Sequence, residues 1–159
     1  MLVLSACHEK ALGTKEIQGL QGLIQVTVPS NWYESKTLHK SADIQAGEDQ
    51  GETYLLVVSE LRSAIQSKTM DGYSIYTRQK LSGSLGESKI FGPWYSSVKG
   101  RPAVRCEIHG KSDGLNLIYM HEVVETPRYF HQVVAWTRAD KFEKNKPEML
   151  KIMESFQEN

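Results

Sequence analysis

Two neighbouring segments, residues 115–125 and 128–137, alternate in a way that leaves both of their faces apolar. Joined as a hairpin by a four-residue loop, Glu125-Thr126-Pro127-Arg128, they set Val124 opposite Tyr129 and Glu122 opposite His131. Ile118, Met120, Val124, Tyr129, Val133 and Ala135 then share one face. Leu117, Tyr119, Val123, Phe130, Val134 and Trp136 share the other. A monomer rarely leaves an apolar patch of that size in water. The sheet containing this hairpin therefore needs a layer on each side.

The rest of the chain supplies the layers. Residues 23–28 alternate up to Pro29 and read as a strand, followed by the turn Pro29-Ser30-Asn31-Trp32. Residues 42–46 and 53–61 read as two more; the unbroken apolar run at 54–58 predicts a central strand. A helix is predicted over 70–85, with Met70, Tyr73, Thr77, Leu81 and Leu85 on one side, Thr69 as its N-cap and Gly86 as its stop. Residues 87–98 and 102–110 are strands separated by Lys99-Gly100. Thr137 and Asp140 resemble a capping box, Pro147 suits the start of a last helix, and Met149, Ile152, Met153 and Phe156 follow helical spacing. The order is strands, helix, four strands, helix. It predicts an α+β fold, a three-layer α/β/α sandwich with a mostly antiparallel sheet, as one domain over residues 23–159.

The N-terminus resembles a bacterial lipobox, with Leu4, Ser5 and Ala6 preceding Cys7. The resemblance implies that residues 1–7 are a signal-peptide remnant and that Cys7 is acylated and becomes the first residue of the mature protein. Residues 8–22, polar and glycine-containing, read as a flexible tether between anchor and domain. His8 is not the aspartate that retains such lipoproteins at the inner membrane. The expected location is therefore the bacterial cell envelope, at the outer membrane facing the periplasm, with the membrane as a partner through Cys7.

Several features together resemble the PsbP-like superfamily, including DcrB-type bacterial periplasmic proteins and lipoproteins. They are the first strand running into Pro29 with Trp32 after it, the strand–helix order, Gly100-Arg101-Pro102-Ala103 opening a strand, and a terminal helix closing on Ser155-Phe156. The likeness spans about residues 22–157. It implies the same three-layer sandwich and largely non-catalytic roles in assembly, protein binding or lipid handling.

No residue pattern supplies chemistry. The 19 basic and 19 acidic residues cancel, which argues against a nucleic-acid partner. His8, His39, His109, His121 and His131 make no metal-ligand spacing, so no metal or cofactor is expected. Ser82-Gly83-Ser84-Leu85-Gly86 has the wrong order for a nucleophile elbow. The Glu122–His131 pair is an acid–base arrangement in form and a cross-strand polar pair by default. Cys106 alternates with Val104 and Ile108 and reads as buried, with nothing to make it reactive. Trp32, Tyr33, Trp94 and Tyr95 lie in or beside turns, where they either line a binding surface or staple loops to the core. The expectation is a monomeric, non-enzymatic envelope protein that binds another envelope protein. The rival is a carrier or sensor of a lipid or other apolar ligand, marked by an apolar pocket of roughly 300 Å³ or more.

Overall fold

The computed structural model describes residues 12–66 and 69–159. Cys7, the rest of the lipobox and the first residues of the predicted tether lie outside them. In chain order the elements are β1 (Thr14–Gly19), β2 (Ile24–Pro29), β3 (Tyr33–Glu34), β4 (Ile44–Glu48), β5 (Thr53–Leu61), α1 (Met70–Gly83), β6 (Gly86–Val98), β7 (Arg101–Ser112), β8 (Leu115–Glu125), β9 (Tyr129–Arg138), α2 (Phe142–Glu154) and β10 (Gln157–Glu158). Seven strands form one sheet in the order β3-β4-β5-β9-β8-β7-β6, and every pairing is antiparallel. A second sheet has the order β1-β2-β10.

The two-faced hairpin is β8–β9, and its two faces carry the two cores. On one side Ile118, Met120, Val124, Val133 and Ala135 join Leu55 and Val57 of β5 beneath Phe142, Met149, Ile152 and Met153 of α2. The small sheet closes the same side with Ile24, Val26 and Val28. On the other side Val104, Val123 and Phe130 pack under Tyr73 of α1, whose ring stacks on Phe130 at 5.0 Å. Thr69 caps α1 as expected, accepting from the Gly72 N–H at 3.1 Å. The helix stops at Gly83, three residues before the glycine expected to end it; Gly86 opens β6 instead.

The hairpin register differs from the expected one by two residues. Val124 faces His131 and Glu125 faces Phe130, so Glu122 stands opposite Val133 and the Glu122–His131 pair does not form. Thr126 is the reason. Its N–H donates to the Tyr129 carbonyl at 3.0 Å, and its hydroxyl accepts from the Tyr129 N–H at 3.2 Å. The turn thus shrinks to Pro127-Arg128. A shift of two residues preserves the side each residue faces, so the division of the faces stands.

Two further readings are corrected. Residues 14–22 are not a tether. β1 pairs along the whole of β2, from Thr14 opposite Pro29 to Gly19 opposite Ile24, and Leu20–Gly22 make a 3₁₀ turn. Only Ile17 and Gly19 of β1 turn inward, so its sequence is as polar as a linker's. A Cβ at Gly19 would collide with the Asp43 carbonyl, which explains the glycine. At the other end, Pro147 is inside α2 rather than at its start, and the capping box is absent. Asp140 pairs with Arg138 at 2.8 Å, and the Thr137 hydroxyl donates to the Glu52 carbonyl at 3.0 Å. The helix grows instead from a 3₁₀ turn, Ala139–Lys141.

β6 is the free edge of the large sheet and nearly all of it is exposed. Its pairing with β7 breaks between Gly86 and Lys89 and again between Phe91 and Trp94, with Gly92-Pro93 inside the second break.

Candidate functional site

The four aromatic residues expected to form a surface do not share one. Trp32 is 1% exposed and belongs to the core between the two sheets, which corrects its assignment to a binding surface. Tyr33 lies on β3, at one edge of the large sheet; Trp94 and Tyr95 lie on β6, at the other. Trp94 faces the α2 side, over a hollow of about 210 Å³ with Arg105, Glu107 and Lys146. Tyr95 points to the α1 side, and its hydroxyl donates to Asp71 of α1 at 2.9 Å. Of the four, Tyr33 leads to a continuous aromatic feature.

That feature is a ladder of four rings across five strands. Tyr33 faces Gly47, Gly47 faces Tyr54, Tyr54 faces Trp136 and Trp136 faces Tyr119, each directly opposite the next in the register. All therefore point to the same side, the one carrying α1. The Tyr54–Trp136 and Tyr119–Trp136 centroids are both 5.6 Å apart, and the second pair is stacked. Such pairs add about 0.5–1.5 kcal/mol each beyond the area they bury. Gly47 makes the ladder continuous: a Cβ there would stand 2.8 Å from the Tyr54 ring and 3.0 Å from the Tyr33 hydroxyl. The Tyr33 hydroxyl donates to Asp49 at 2.8 Å, and that carboxylate pushes its pKa up to about 12. α1 packs on β6, β7 and β8 and leaves this strip half-covered; Tyr33 is 38% exposed. A flat row of rigid aromatic rings with hydroxyl handles can hold a partner with little loss of side-chain freedom.

The second opening lies on the α2 side. A cleft of about 610 Å³ runs between α2 and the β1–β2 hairpin. Leu12, Val28, Pro29, Pro147 and Ile152 line it, with Thr14, Thr27, Glu148, Lys151 and Ser155 also at its walls. Its volume is within the roughly 300–1,000 Å³ of small-molecule sites.

The buried ionisable groups form structural pins. His131 accepts or donates at both ring nitrogens: Ser59 Oγ is 2.7 Å from Nδ1 and Glu158 Oε2 is 2.7 Å from Nε2. The ring is fully buried, between Tyr129 and Phe156. Burial lowers its pKa while the Glu158 carboxylate opposes the fall. The trio joins β5, β9 and β10, and the buried imidazole has no free nitrogen for a substrate. Glu122, also fully buried, takes Arg105 Nη2 at 2.9 Å and Nε at 3.0 Å on one oxygen; its other oxygen has no partner among the described residues. Cys106 is fully buried, as its alternation predicts. Arg78 Nη1 donates to its sulfur at 3.1 Å, an electropositive neighbour that strand periodicity does not reveal. Among the described residues no group of three His, Cys, Asp or Glu side chains is placed to hold a metal, and no helix is long and apolar enough to cross a membrane.

Comparison with solved structures settles the architecture. The cyanobacterial PsbP (CyanoP) of Synechocystis sp. PCC 6803 superposes with a TM-score of 0.66 at 11% identity, covering 99% of each chain. The fold is PsbP-like. LpqN, involved in cell envelope biogenesis of Mycobacterium tuberculosis, matches this chain with a TM-score of 0.65 at 13% identity, over 93% of this chain and 91% of LpqN. The Ran-binding protein Mog1p of Saccharomyces cerevisiae matches at 0.59 and 10% identity, over 92% and 95%. No family model matches the sequence. No curated protein matches it either.

On the PsbP-like frame, sequence reasoning found one of the four ladder rings. Tyr54, Tyr119 and Trp136 were assigned to strands for their burial, and the signal that unites them is register: each stands opposite the next only once the strand order is known.

Proposed function

We propose that this chain is a non-enzymatic, DcrB-type envelope lipoprotein, anchored through Cys7 at the outer membrane and facing the periplasm, that binds another envelope protein through the Tyr33–Tyr54–Trp136–Tyr119 ladder. The ladder carries the reading: it is a run of four aromatic side chains that the fold leaves half-covered or exposed. Protein interfaces concentrate their energy in such aromatic anchors. The lipobox resemblance and the envelope role of LpqN support the location. The test is a photo-crosslinking residue in place of Tyr33, used in intact envelopes, against the same residue in place of Glu143 on the exposed face of α2. We expect one discrete protein adduct from position 33 and none from 143. Trp136→Ala should weaken that adduct roughly tenfold or more, as loss of an interface anchor does. Equal adducts from both positions, or an adduct indifferent to Trp136→Ala in a folded protein, would overturn the reading.

A second reading, a carrier of an apolar ligand, is favoured by one observation, the 610 Å³ cleft beside α2.

A further inference from the structure

We infer that the cleft between α2 and the β1–β2 hairpin is the seat of an acyl chain borne by this protein's own Cys7. Three observations point there. Leu12, Pro29 and Pro147 give the cleft apolar walls, set against Val28 and Ile152, which are 0% and 2% exposed and belong to the main core. Its mouth is formed by Leu12, the first described residue, a leucine left 62% exposed. Cys7 precedes Leu12 by five residues, which extended span roughly 17 Å. An acyl chain attached at Cys7 is thereby within reach of the cleft. Lys151 stands at the wall, where its ammonium can meet the ester oxygens at the head of the chain while its methylene stem covers the tail.

The arrangement gives the anchor two resting places, the bilayer and the cleft. With the chain in the cleft, the protein carries its lipid through water under apolar cover. With the chain in the bilayer, the cleft is empty and open beside the membrane.

The inference rests on the acylation of Cys7, so the experiment reads acylation and cleft occupancy separately. Mass spectrometry of the purified full-length protein reports the lipid. A fluorescent polyene fatty acid then reports the cleft, in wild-type protein and in Cys7→Ala. We expect Cys7→Ala to take up one equivalent of the probe and the lipidated protein to bind it at least tenfold more weakly, because its own chain competes. Two variants in the Cys7→Ala background, Thr27→Trp on β2 and Lys151→Trp on the exposed side of α2, fill the cleft and should each lower uptake at least tenfold, with far-UV circular dichroism unchanged. Equal uptake by lipidated and unlipidated protein would show that its own chain does not occupy the cleft. No uptake by Cys7→Ala would show that the cleft takes no acyl chain. A wild-type Cys7 without lipid would remove the occupant altogether. Each of these overturns the inference, and none of them touches crosslinking at position 33.

Discussion

The fold holds His121 neutral at physiological pH. This residue is fully buried on the α1 side, Nε2 lies 3.2 Å from Gln132 Oε1, and Nδ1 has no partner among the described residues. Burial, with the Arg78 guanidinium adding repulsion, pushes its pKa down to about 4. An unfolded histidine titrates near 6.5. Between those values the unfolded chain binds the proton and the folded chain does not, so acid favours unfolding. Its contribution is complete above pH about 6.5 and lost as pH falls through about 4; the total is about 3 kcal/mol. His121→Gln removes this titration. We expect the wild-type unfolding free energy to fall more steeply than the variant's from pH 6.5 to 4 in urea titrations, by about that amount. Parallel profiles would show that His121 titrates normally in the fold.

At the scale of elements, the two helices cover unequal cores. α2 contributes Met149, Ile152 and Met153, none more than 2% exposed, to a core shared by both sheets. α1 contributes Tyr73 and a half-buried Met70 to a cluster of four buried residues. Truncating Met153→Ala should therefore cost about 2–5 kcal/mol, the range for deleting a buried methionine side chain. Met70→Ala should cost less than about 1 kcal/mol, as partly exposed positions do. Urea midpoints of the two variants measure the contrast, and equal losses would mean that α1 carries as much as α2. The same asymmetry explains what was legible in the sequence. Periodicity located β5 through β9 and both helices because their apolar residues recur at fixed intervals. β1 escaped because a single buried isoleucine, Ile17, has no period, and β3 and β10 because two residues have none either. The hairpin register turned on the hydroxyl of Thr126, which apolar patterning does not register. The ladder was hidden for a related reason: its members lie far apart in the chain and meet only through strand order.

At the scale of the whole molecule, strand order also leaves an unpaired border. β6 offers thirteen residues of edge backbone and exposes Ile90, Phe91, Trp94 and Tyr95 along it. A long, regular edge of that kind is a template on which a second copy can add its own edge, and a third can follow, building a fibre instead of a solution of monomers. We expect the break between Phe91 and Trp94 to block this. It offsets the hydrogen-bonding groups on either side, and Pro93 offers no N–H to an incoming strand. Substituting Pro93→Thr restores a donor and favours a regular edge. The expected outcome is concentration-dependent association seen by light scattering, with the wild-type chain unchanged over the same range; a variant that scatters like wild type would show that the break is not what keeps copies apart. Wherever copies are crowded together, an irregular edge strand is then a condition of staying dispersed.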